Sequence, residues 1–301
     1  MFKFSAAILP ILAFCLGIMS PVQAAPEAAP KVVASILPVH SLVAGVMKGV
    51  AEPRLLLRGA ASPHAHALRP SDARAIHNAD LVFWIGSRLE SSLAKPLSAL
   101  SQKARVIELA ELPGISHLEL GGQAGGQIGG RDMHIWLDPN NASVMVRHMA
   151  TNLSAKDPAN AKLYETNGSA LLRRLETAAG EIQKKVNRVK DRPFVVYHHA
   201  YGHFINRFGL TQTGFLSLGA ERSPGAKRLR QIKRQILKKN VVCVFGERRQ
   251  NRSLLNTISE GTGARIGMLD ALGVGITPGA DAYFRLIDNL TGDFVNCLSR
   301  K

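Results

Sequence analysis

Cysteine is scarce, with three in 301 residues at positions 15, 243 and 297, and no two stand at the C-x-x-C spacing of a zinc ribbon or thiol redox centre. Aromatic residues make up only 6% and do not interleave with the basic ones, which argues against a base-stacking nucleic-acid surface. Beyond the N-terminus no apolar run is long enough to cross a bilayer. Two common hydrolase signatures are missing: no H-E-x-x-H for a zinc peptidase and no G-x-S-x-G for a nucleophilic serine. Acidic residues are also short, 22 against 38 basic, giving a formal charge of +16 and a pI of about 10.2. Such a balance raises an anionic partner, against the plainer reading of a solvated basic surface.

Residues 1–24 read as a secretory signal peptide. Lys3 supplies the positive start, Ala6 to Met19 a short apolar stretch, and Val22-Gln23-Ala24 a small-x-small cleavage site. Cleavage is expected after Ala24 or Ala25. Cys15 lies inside the apolar stretch behind Phe14, which is too bulky for a lipidation site. The exported chain then keeps Cys243 and Cys297, and in an oxidising compartment two cysteines are expected to form one disulfide.

The mature chain is long enough for two lobes, expected at 25–156 and 191–301. Short β-rich runs alternate with helical ones. Lys31 to Leu37 is expected as a strand ended by Pro38, followed by a helix from Ser41 to Val50, and Ser71 is expected to cap a helix to Asn78. Leu81 to Ile85, Phe194 to Tyr197 and Val241 to Phe245 read as buried strands. This alternation predicts an α/β fold with parallel-rich sheets. Between the lobes, residues 157–190 carry Leu171, Leu175, Ala178, Ile182, Val186 and Val189 at steps of three and four, which predicts one long connecting helix. Lys227 to Lys239 (KRLRQIKRQILKK) puts Leu229, Ile232 and Ile236 on one helix face and bases on the other, as a helix packed on a sheet would. Gly121 to Gly130 is a loop by composition.

The residues able to carry chemistry fall in four separated places: PHAHALRPSD from Pro63, DMHIWLDP from Asp132, YHHAYGHF from Tyr197 and MLDALG from Met268. In DMHIWLDP the Ile135-Trp136-Leu137 run reads as a buried anchor that would hold His134 still. All four places follow strands or lie in loops, where open α/β sheets bind ligands. A cleft between two lobes would gather them. Imidazoles with one carboxylate form a borderline-soft donor set suited to Zn²⁺. In an extended segment His64 and His66 would point the same way, whereas His199 would point away from His198.

The motifs VVASILPVHSLV, GASPHAHALRPSDARAIHNADLVFWIGSRLE, DMHIWLDP, VYHHAYGHFINRFGL, SPGAKRLRQIKRQI, VCVFGE and LDALG, in this order, resemble the periplasmic solute-binding proteins of zinc-uptake ABC transporters, the ZnuA type. The resemblance implies two similar lobes joined by one long rigid helix, with the metal site in the cleft between them. It implies metal ligation by His64, His134, His198 and Asp270, a C-lobe disulfide between Cys243 and Cys297, and an acidic neighbour of the site at Glu247. His198 stands where the manganese branch has Glu, which favours zinc. The implied protein is a monomer and no enzyme. It captures Zn²⁺ and passes it to a membrane permease driven by an ATPase, and no nucleic-acid partner is expected.

The sequence departs from that pattern at His66, where an aromatic is common, and at His199, where Asp is common, so either is a candidate auxiliary ligand. The glycine run 121–130 stands where zinc members often carry a His-rich loop. The rival readings are a manganese-binding protein or an adhesin of the same fold, and an exported zinc hydrolase. The last is disfavoured because His64-Ala65-His66 lacks a following Asp-His pair.

Overall fold

A computed structural model of the protein describes residue 1 and residues 28–59, 62–64, 67–120, 130–217, 225–248 and 252–299. The signal-peptide segment apart from Met1, most of the glycine run and His66 lie outside the described residues. The first half of the chain alternates β1 (Val32–Ala34), α1 (Leu37–Val46), β2 (Arg54–Leu55), α2 (Pro70–His77), β3 (Leu81–Trp84), α3 (Ser91–Leu100) and β4 (Arg105–Glu108). The four strands form one parallel sheet in the order β2-β1-β3-β4, with Val33 beside both Arg54 and Val82, and Phe83 beside Ile107. The LVFW run of β3 is buried throughout, as a parallel strand covered on both faces requires.

Two helix starts differ from the sequence expectation. Pro38 does not separate strand from helix but sits in the first turn of α1, where its missing N–H is no loss and its φ is already helical. Likewise Pro70 opens α2, so Ser71 is inside the helix, and the Asp72 carboxylate accepts from the Arg69 N–H at 3.4 Å.

A short 3₁₀ turn, Ile135–Leu137, leads into α4 (Pro139–Lys156), whose N-cap Asp138 accepts from the Asn140 N–H at 2.8 Å. Next comes a 3₁₀ turn at Pro158–Asn160 and then α5 (Ala161–Val186), a helix of 26 residues. Leu171, Leu175, Ile182 and Val186 form its buried stripe. The second half repeats the first: β5 (Phe194–His198), α6 (Gly202–Phe208), β6 (Gln212–Ser217), α7 (Ala226–Lys238), β7 (Cys243–Glu247), α8 (Arg252–Ser259), β8 (Arg265–Leu269) and α9 (Ala282–Ser299). Its parallel sheet runs β6-β5-β7-β8, the same strand order as the first. Cys243 of β7 is disulfide-bonded to Cys297 of α9.

The lobes share their main core, and a smaller cluster around Val195, Leu216, Ile232 and Leu255 belongs to the second lobe alone. One cluster of buried apolar side chains runs from Val32 in β1 to Leu298 in α9. Trp136, with no exposed surface, sits in it and donates its indole N–H to the Ala271 carbonyl at 2.8 Å. The Tyr283 hydroxyl donates to the Trp136 carbonyl at 2.9 Å, and the Tyr283 N–H to Ser41 Oγ at 2.8 Å. The run read as a buried anchor therefore ties the second lobe to the first.

Candidate metal centre

Strand ends place the polar groups. His198 is the last residue of β5 and Glu247 the last of β7, and the register that pairs Val196 with Phe245 sets them side by side. These two neighbouring strands leave the second sheet where its order reverses, the crevice in which open α/β sheets bind ligands. Asp270 follows the end of β8. From the other lobe, His64 comes on the loop between β2 and α2, and His134 from the residue that starts the Ile135–Leu137 turn.

His64, His134 and His198 converge. Their ring centroids are 5.2 Å apart for His134 and His198, 5.7 Å for His64 and His198, and 5.9 Å for His64 and His134. Each offers a ring nitrogen, and these nitrogens lie within 4.8 Å of one another. The rings stand at 61° to 81° to each other, so they do not stack but point edges and nitrogens inward. Zinc–imidazole bonds of about 2 Å would draw the three nitrogens somewhat closer.

The rear nitrogens are held. His134 Nδ1 is 2.7 Å from Asp132 Oδ1, and the same oxygen accepts the His134 backbone N–H at 3.0 Å. His198 Nδ1 is 2.8 Å from Glu247 Oε1. In both, the carboxylate accepts a hydrogen bond from Nδ1–H, which keeps the proton on that nitrogen and leaves Nε2 as a lone-pair donor. His198 Nε2 is buried and has no hydrogen-bond partner among the described residues. Burial lowers the His134 pKa below the usual imidazole value, with Asp132 pulling the other way, so the ring is neutral and able to bind a cation. Burial alone would raise Asp132, but the hydrogen bonds from His134 hold its carboxyl below the ordinary range.

Asp270 lines the same cleft but stands outside the imidazole triangle. Its Oδ1 accepts the N–H groups of Leu272 and Gly273, each at 2.9 Å, and its Oδ2 accepts that of Val274 at 2.6 Å. His199 turns away, edge-on to Phe215 at 4.8 Å, and does not line the cleft. His203 is one step from the site: its Nε2 is 2.9 Å from the Asp132 carbonyl and its Nδ1 3.4 Å from Asn141 Nδ2. Asp132 is the site residue that the sequence reading missed, although its D-x-H spacing was the available signal.

Residues 32–297 match the ZnuA family, described as zinc-uptake complex component A, periplasmic. The chain is 35% identical over 308 residues to the high-affinity zinc uptake system protein ZnuA of Brucella suis biovar 1 (strain 1330), covering 89% of this chain and 92% of that protein. Its fold is similar to a crystal structure of ZnuA, at 25% identity and a TM-score of 0.78, covering 90% of this chain and 99% of that one. It is also similar in fold to the solute-binding protein FpvC of Pseudomonas aeruginosa in complex with Mn²⁺, at 24% identity and a TM-score of 0.79, covering 90% and 99%.

Proposed function

The chain belongs to the ZnuA family of periplasmic zinc-uptake components, and from that premise we propose that it captures Zn²⁺ in the periplasm and delivers it to the permease of an ABC transporter. It is a transport component and not an enzyme. The observation that carries the choice of ion is the set of three imidazoles, two with their rear nitrogens fixed by Asp132 and Glu247. Neutral nitrogen donors favour Zn²⁺, whereas Mn²⁺ prefers carboxylate and carbonyl oxygen.

In this reading His64, His134 and His198 are the ligands, two from the lobe at 25–156 and one from the lobe at 191–301. Asp270 supplies the fourth position. A carboxylate oxygen has two lone pairs, and Asp270 Oδ2 accepts a single amide, which leaves one for the ion. Glu247 acts through His198 by holding its ring. The working form is a monomer, with the signal peptide removed after about Ala24.

The test is metal content and competition on the mature chain, purified without a metal-binding tag. One tightly held zinc per chain that outcompetes Mn²⁺, lost in His198→Ala with the fold retained, supports the reading. Preference for Mn²⁺, or zinc kept in that variant, refutes the ligand set. Loss of fold on removing the metal would make the zinc structural rather than cargo.

A further inference from the structure

Helix α7 bears Lys227, Arg228, Arg230, Lys233, Arg234 and Lys238, with Lys239 directly after it, and no acidic residue lies between Arg222 and Gly246. Its inner face is fixed by Ile232 and Ile236, buried against the sheet with Leu229 beside them. Arg228 also turns inward, its guanidinium over the Phe215 ring and donating to the Phe215 carbonyl. The outer face is a row of Lys227, Arg230, Arg234 and Lys238, all exposed. At a rise of 1.5 Å per residue that row is about 16 Å long. Beside it Leu237 is 51% exposed, more than any other described large apolar side chain after the terminal Met1.

Like charges three and four residues apart destabilise a helix. Among the described residues, no carboxylate forms an ion pair with any member of the row. None of them lines the metal cleft. The row therefore serves neither the helix nor the site. We propose that it docks the protein on anionic phospholipid headgroups, with Leu237 entering the interface. A straight row of long, flexible cations flanked by one exposed leucine matches a broad, fluid anionic surface. It offers neither a groove for a peptide nor aromatic rings for bases.

Because α7 returns antiparallel to its parallel strands, the Lys227 end lies toward the strand ends that bear His198 and Glu247. Docking would hold that rim of the cleft near the membrane in which a permease sits. The inference takes from the proposed function only the exported location. Its test accordingly uses the metal-free mature chain.

Cosedimentation with phosphatidylglycerol–phosphatidylcholine vesicles should show binding that phosphatidylcholine vesicles alone do not give, weakening as salt is raised. The quadruple variant Lys227→Gln, Arg230→Gln, Arg234→Gln, Lys238→Gln should lose about tenfold or more in partition. Leu237→Ser, which keeps every charge, should lose about threefold. A variant with the same charge change on exposed sites of the first lobe, Lys48→Gln, Lys95→Gln, Lys103→Gln, Arg105→Gln, should bind as the parent does. Unchanged zinc binding and thermal melting in each variant establish that it folds. Equal loss in both quadruple variants would reduce the effect to net charge and overturn the proposal. So would the absence of vesicle binding, or binding to an acidic peptide or oligonucleotide alone.

Discussion

The Gly202→Ala variant should weaken zinc binding although it leaves every ligand in place. Gly202 opens α6, and a Cβ there would stand 2.5 Å from Asp132 Oδ2. That carboxylate cannot swing aside cheaply. It is buried, its side chain is short, and its other oxygen holds both the ring and the backbone N–H of His134. Clearing the contact requires a shift of about 1 Å, which breaks the 2.7 Å bond to His134 Nδ1 and frees the ring to rotate or change tautomer. Loss of such an outer partner typically lowers metal affinity by about 10- to 100-fold, or about 1.4 to 2.7 kcal/mol. Asp132→Asn should give a loss in the same range, since an amide oxygen accepts more weakly. Competition against a chromophoric zinc chelator at pH 7.5 reads the difference directly. Affinity within about twofold of the parent, in a variant that melts normally, would show that the Asp132 bond does not orient the ligand.

Other expectations follow from the same contacts. Zinc affinity should fall as pH drops through the imidazole range near 6.5, with the burial that lowers His134 delaying the loss toward acid; a flat profile between about pH 7.5 and 5 would contradict imidazole ligation. Glu90, buried just beyond the end of β3 where it accepts the Ile85 and Gly86 N–H groups, has its pKa raised by burial to about 7 against 4.5 when unfolded. Its stabilising contribution is thus present below the unfolded value and disappears as pH rises through 7, a change of about 3 kcal/mol that Glu90→Gln should abolish in urea melts at pH 5 and 8. Parallel pH slopes in the two proteins would show that Glu90 does not titrate in this way. Replacing Cys243 and Cys297 by Ala opens a loop of 54 residues and should lower stability by up to about 4 kcal/mol, read as a shift in thermal midpoint.

Much of this could be read in the sequence because the signals were local. Continuous apolar runs such as LVFW and FVVY marked parallel strands, and the three-and-four spacing of Leu171, Leu175, Ile182 and Val186 marked the long helix. His134 and His198 were each attached to a buried run, while His64 stood in the PHAHALRPSD motif on a loop. What escaped depended on contacts distant in the chain. The Gly202 backbone leaves room for Asp132, 70 residues earlier, and nothing local to either residue announces it. Asp270 was recognisable as a carboxylate at a strand end, but its three amide partners depend on how the following turn folds back. Pro38 was read as the end of a strand although it sits in the first turn of a helix, because a proline's restraint is compatible with either role until the chain after it is known.

The continuity of the hydrophobic core across both lobes bears on how a loaded receptor is told from an empty one. Swinging the lobes apart would strip Trp136 and its neighbours of their burial. Exposing even about 200 Å² of apolar surface costs about 5 kcal/mol. A gross change of shape is therefore an expensive way to report occupancy. The message must instead be written in small features at the mouth of the cleft, chiefly the loop bearing His64 and the turn after Asp270. A membrane partner would read the ion's presence as the order and charge of that rim. A receptor built in this way signals by local texture rather than by posture.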